Sequence, residues 1–253
     1  MQFSLYDEGV TLDCVLERPS DLPEKQPLAV ILHGFTGNKD ERHLLAICQT
    51  LRDCGFATLR FDLYGHGKSG GTFRDHTISK WVSNAVAVID YASGLDFVSE
   101  LWLGGHSQGG LTAMLAGVER RERLAGLLLF SPACMIPEGA RRGSLLGGVF
   151  DPKHIPDVIC LGPERILDGN YLRSAQKIDI EAAIRDFDGP VLLIHATDDA
   201  TVPIQWGEQA ASHYQNCTFV RIEDDTHCYD RHLDRVTDAL RAYVQKPRHP
   251  DAP

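Results

Sequence analysis

Leu101-Trp102-Leu103-Gly104-Gly105-His106-Ser107-Gln108-Gly109-Gly110-Leu111 runs from an apolar stretch into a helix-forming one, Leu111 to Val118, and carries G-x-S-x-G at the join. A serine at such a join must take a sharp, strained turn. Glycines flank it because a side chain there would strike the neighbouring element. The pentapeptide alone is common. Set between a strand and a helix, it predicts a nucleophile elbow with the Ser107 hydroxyl standing clear of a sheet.

Outward from the elbow, short apolar runs recur: Leu28 to Leu32, Ala57 to Phe61, Leu127 to Phe130, Val191 to Ile194 and Thr218 to Ile222. Runs apolar on both faces suit central strands of a parallel sheet covered by helices. Between them, Asp40 to Cys54, Ser79 to Ser93 and Asp230 to Val244 repeat apolar residues at helical spacing. Acidic residues open the first of these, and Gly55 and Gly94 follow two of them as stops. Strand alternating with helix predicts an α/β fold with a mostly parallel, doubly wound sheet. From Pro132 to about Arg185 the rhythm breaks into Pro- and Gly-rich sequence. A structureless loop of that length is improbable in a compact domain, so 132–185 is expected to form an inserted cap. The core then comprises 1–131 and 186–245, and the Pro-rich tail 246–253 is expected to fray.

A serine hydroxyl needs a base, and the base needs a group that fixes its tautomer. After such an elbow the chain order is Ser, acid, His. Asp198 and Asp199 follow the run Val191 to Ile194, and His227 follows Thr218 to Ile222. Either aspartate satisfies the order.

Composition bounds the partners. The 253 residues hold 25 basic and 35 acidic side chains, a net charge of −10, which disfavours nucleic acid and anionic membranes. The substrate is therefore expected to be neutral or locally accommodated. Seven cysteines without a C-x-x-C pair point to free thiols in a reducing compartment. Met1 to Val10 has no basic start followed by an apolar run, and no apolar stretch is long enough for a membrane span, so a cytoplasmic protein is expected. Gly67-Lys68-Ser69 lacks the first glycine of a phosphate loop, because Asp62 holds that position. His33, His66, His106 and His195 show no metal-ligand spacing, and neither metal nor cofactor is expected. Cys228 reads as a small buried hydrophobe.

The segments Leu32-His33-Gly34-Phe35, Arg60 to Ser69, Gly105 to Gly110, Thr197 to Pro203 and Asp225-Thr226-His227-Cys228 together resemble the α/β-hydrolases. More narrowly, the chain resembles small bacterial feruloyl (cinnamoyl) esterases over nearly its whole length, including Pro132-Ala133, His154 to Asp157 and Gly169-Asn170-Tyr171 in the cap. The resemblance implies the α/β-hydrolase fold and selects Asp199, four residues before Pro203, as the acid. It also implies an oxyanion hole formed by the backbone N–H groups of Gln108 and Phe35. Tyr171 is singled out in the cap as a phenol suited to an aromatic acyl group, although an ordinary packed aromatic is the simpler role. Leu145 to Phe150 is apolar enough to wall an acyl pocket. The expected substrate is a small-molecule ester, most specifically a hydroxycinnamate ester, with two-step acyl transfer through Ser107 and a homodimer by resemblance alone. A broad short-chain carboxylesterase, a thioesterase or a monoacylglycerol lipase uses the same triad, and a non-catalytic binding protein uses the same scaffold.

Overall fold

The computed structural model describes residues 1–19, 24–162 and 165–246. Its centre is an eight-stranded sheet of β1 (Gln2–Asp7), β2 (Val10–Glu17), β3 (Gln26–Leu32), β4 (Ala57–Phe61), β5 (Val98–His106), β6 (Gly126–Phe130), β11 (Val191–Ala196) and β12 (Cys217–Ile222). The spatial order is β1-β2-β4-β3-β5-β6-β11-β12. β1 and β2 pair antiparallel, as do β2 and β4, and all other neighbours are parallel.

The two-residue side-chain period of each strand splits the apolar runs between two cores. Leu28, Val30, Leu32, Leu127, Leu129 and Leu193 belong to one buried cluster, with residues of α2 (Ile78–Ser93) and α3 (Gln108–Glu119). Ala29, Ile31, Leu128, Phe130, Leu192 and Ile194 belong to the other, with residues of α1 (Arg42–Asp53) and α8 (Leu233–Val244). Helices thus cover both faces, and β4, β6 and β11 are buried throughout, as are Leu28 to Leu32 of β3, because neither face meets water.

Two helices begin later than their periodicity suggests, for local reasons. The Asn38 side chain accepts the Asp40 N–H at 2.9 Å, which holds Asp40 in a turn. Helix α1 therefore opens at Arg42, with no acidic residue in its first turn. The buried Asp225 carboxylate accepts the Arg231 and His232 N–H groups at 3.0 Å each, which keeps 230–232 outside α8. The hairpin β1-β2 and the helix α7 (Gln205–His213) add elements beyond those read from the sequence. Leu12, Cys14 and Leu16 in β2 are buried at every second position, a period-2 signal present in the sequence.

Between β6 and β11 the chain forms α4 (Met135–Arg142), β7 (Ser144–Leu145), β8 (Gly148–Val149), β9 (Val158–Cys160), β10 (Ile166–Asp168), α5 (Asn170–Ala175) and α6 (Ile180–Arg185). β7-β8 and β9-β10 are separate two-stranded hairpins. α5 packs on α2, and α6 packs on α3 and α7, so this segment sits on the core face that carries the elbow helix. Of the tail 246–253, residues 247–253 lie outside the described residues. Among the described residues no helix is long and apolar enough to cross a membrane. All seven cysteines are free.

Candidate active site

Ser107 sits between β5 and α3 with φ 56° and ψ −123°, a left-handed conformation that side chains rarely adopt. The surrounding backbone fixes it there. Its N–H donates to Phe130 O at 3.0 Å, and its carbonyl accepts from Leu111 N at 3.1 Å and Ala133 N at 2.9 Å. Glycine is required on both sides: a Cβ on Gly105 would lie 2.4 Å from Gly109 O, and one on Gly109 would lie 2.2 Å from His33 O. The elbow therefore packs backbone to backbone against the loop that follows β3.

His227 lies in the loop after β12, and its Nδ1–H donates to Asp199 Oδ2 at 2.6 Å. The other Asp199 oxygen accepts the Thr201 and Val202 N–H groups at 2.9 and 2.7 Å, so the carboxylate is fully used and cannot swing. Burial alone would raise the Asp199 pKa. Hydrogen bonds from His195 and His227 outweigh it and hold the carboxyl well below the usual aspartate range. Asp198, beside it in sequence, turns outward and pairs with Arg231 at 2.9 Å.

Ser107, His227, Phe35 and Gln108 all line one cavity of about 220 Å³, together with Met135, Ile136 and Leu146. The Ser107 hydroxyl makes no hydrogen bond among the described residues, a separation common before substrate draws such groups together. The backbone N–H groups of Phe35 and Gln108 are likewise uncommitted among the described residues, as oxyanion donors must be. Gly34 allows the Phe35 loop this close: a Cβ there would lie 3.0 Å from Ser107 Cβ. A larger groove of about 570 Å³, lined by Glu138, Trp206 and His213 among others, contains neither Ser107 nor His227.

Tyr171 is fully buried and absent from the cavity wall. Its hydroxyl donates to Gln108 Oε1 at 2.7 Å, and its ring packs 6.0 Å from Phe35. It thus touches Phe35 and Gln108, which both line the cavity. Gln108 Nε2 is buried without a partner. Tyr171→Phe would leave both polar ends of Gln108 unpaired, so a stability loss of about 1–3 kcal/mol is expected. Thermal unfolding reads that loss. A fall in kcat at nearly constant KM would show that Gln108 itself has moved.

Other contributors carried no distinctive sequence signal. His106 Nε2–H donates to the His227 carbonyl at 2.8 Å, tying the elbow strand to the histidine loop. Asp225 organises that loop through the N–H groups of Thr226, Arg231 and His232. In the sequence it is one of three acids in a row, Glu223-Asp224-Asp225, and nothing there marks it as the buried one. Glu41 lines the cavity, with its carboxyl pushed up to about 7 by burial. Burial likewise raises the Cys228 thiol, beside His227, to about 11, so it stays protonated at neutral pH.

Around this site several imidazoles are buried in the neutral form. Burial, then the charge of neighbouring imidazoles, lowers His33 and His76 to about 3 and His43 to about 4, from 6.5. These groups take up protons on unfolding as pH falls below 6.5, so their stabilisation is complete above that pH and is lost on acidification toward 3–4. Between about pH 7.5 and 5.5 the loss is expected to be about 1.4 kcal/mol per imidazole, or about 4 kcal/mol together, offset in part by Glu41, whose raised carboxyl takes up a proton in the folded protein over the same range. Urea unfolding at the two pH values measures it, and an unchanged midpoint would exclude neutral burial of these rings.

A family model described as Serine aminopeptidase, S33 matches residues 23–159, and one described as TAP-like protein matches residues 171–252. Among solved structures, Est1E from Butyrivibrio proteoclasticus with ferulic acid bound superposes with a TM-score of 0.93 at 47% identity, covering 96% of this chain and 97% of that one. Among curated proteins, human Protein ABHD12B is 24% identical over 196 residues, which is 74% of this chain and 50% of its own length. The mitochondrial palmitoyl-protein thioesterase ABHD10 of Bos taurus is 30% identical over 122 residues, 45% of this chain and 38% of its length. The chain spans half or less of the length of these curated relatives.

Proposed function

The chain belongs to the α/β-hydrolase family and is a serine hydrolase, and from that premise we propose that it cleaves carboxylic esters, preferring hydroxycinnamoyl esters of the feruloyl type. The observation that carries the substrate class is the 47% identity over 96% of the chain to Est1E, whose structure holds ferulic acid. The apolar cavity wall of Phe35, Met135, Ile136 and Leu146 suits a planar aromatic acyl group.

In the proposed reaction Ser107 Oγ attacks the ester carbonyl while His227 Nε2 accepts its proton. Asp199, bonded at Nδ1, fixes the imidazole tautomer and stabilises the imidazolium that forms. The carbonyl oxygen becomes an oxyanion held by the N–H groups of Phe35 and Gln108. His227 then protonates the departing alcohol, leaving an acyl-Ser107 ester. Water, deprotonated by His227, attacks that ester and releases the acid and the free serine.

The test is kcat/KM for methyl ferulate, p-nitrophenyl butyrate, a monoacylglycerol and a palmitoyl thioester. Methyl ferulate is expected to exceed the others after correction for leaving-group reactivity. Preference for the thioester or the glyceride would overturn the hydroxycinnamate assignment and leave the serine chemistry in place.

A further inference from the structure

Arg165 immediately precedes β10 at the end of the β9-β10 hairpin. The turn is closed by Leu161 N to Arg165 O at 3.0 Å and by Arg165 N to Gly162 O at 3.2 Å. Its side chain lines the same cavity as Ser107 and His227. Half-buried there, the guanidinium makes no ion pair and no hydrogen bond among the described residues. Other arginines of the 132–185 segment are paired: Arg142 with Glu138 at 2.6 Å, and Arg173 with the Ile155 carbonyl at 2.9 Å. Glu41, the acidic side chain on the same cavity wall, forms no ion pair with Arg165.

A chain of net charge −10 thus places a cation that is unpaired among the described residues on the wall of the catalytic cavity. Partial burial of a charge without a partner is unfavourable, and a guanidinium is built to take a carboxylate or phosphate through two parallel hydrogen bonds. We propose that Arg165 is a specificity-determining residue that selects esters carrying an anionic group, such as a carboxylate, away from the scissile bond. The proposal rests on the reading of this cavity as an esterase site. It refines the expectation from net charge: an anionic substrate is accommodated locally against the protein's own field.

The anion can belong to the alcohol or to the acyl part, so two matched pairs are needed. The first compares a caffeoyl ester of quinate with methyl caffeate. The second compares p-nitrophenyl hemisuccinate with p-nitrophenyl valerate. In at least one pair, Arg165→Gln is expected to lower the anionic-to-neutral ratio of kcat/KM by about tenfold, as loss of a charge-assisted contact does at a part-exposed site. Arg165→Lys should recover part of that ratio, and about 0.5 M salt should depress it in the unaltered protein, which keeps the test open if the Gln variant fails to fold. The pair that responds identifies the side of the ester bearing the anion. Ratios within about twofold of the starting value in both pairs, with no salt response, would overturn the proposal. A weak rate on methyl ferulate would instead count against the hydroxycinnamate reading, and the hemisuccinate pair would still report on Arg165.

Discussion

Ser107→Ala is expected to lose about a million-fold in kcat, the scale on which a nucleophile's removal disables a Ser-His-acid unit. The loss is that large because the residues act together: without the hydroxyl, the imidazole and the oxyanion donors have no covalent step to assist. The variant should still fold. The serine oxygen makes no hydrogen bond among the described residues, so its removal leaves no buried partner orphaned. The left-handed backbone at φ 56° costs alanine no more than it costs serine. Turnover of p-nitrophenyl butyrate, thermal unfolding and labelling by a fluorophosphonate together give the answer. Near-wild-type hydrolysis by a folded Ser107→Ala protein would eliminate the acyl-serine mechanism.

Asp199→Asn is expected to cost about ten-thousand-fold in kcat with little change in shape, through the wrong tautomer. The remaining oxygen would keep the Thr201 and Val202 N–H groups, now at 2.9 and 2.7 Å, and this fixes which way the amide faces. Its NH₂ would then point at His227 Nδ1 and demand an acceptor there. The imidazole proton would move to Nε2, the atom that has to accept the serine proton. Asp198→Asn is the matched control. That carboxylate is half exposed and paired with Arg231, so a change within about twofold is expected. Equal losses in the two variants would refute the assignment of Asp199.

The strands were legible because each inner run is buried on both sides and so is apolar without interruption, from Leu28 to Leu32 and from Leu127 to Phe130. The elbow was legible for a steric reason. Gly105 and Gly109 touch backbone at distances that admit no Cβ, and so strict a requirement leaves a mark on the sequence. Helix starts were less legible: side chains such as Asn38 and Asp225 compete for the first N–H groups, and periodicity does not register that competition. Tyr171 shows a different limit. The sequence offered both a substrate-facing and an ordinary packed role for it and favoured the packed one, and its contact with Gln108 carried no signal there.

By itself the sequence determined the parallel sheet, the strained serine and the order in which acid and base follow, since local sterics and burial dictate residue type position by position. Only the tertiary structure decided that Asp198 turns away to Arg231, that the Tyr171 hydroxyl is spent on Gln108 and that Arg165 stands without a partner among the described residues at the cavity. Those outcomes depend on contacts between residues far apart in the chain, such as Asp199 with His227 and Tyr171 with Gln108. Hydrogen-bond partners at that separation are chosen by the packing of whole elements, so a local motif can mark a residue such as Asp199 but does not show what a residue such as Tyr171 will meet.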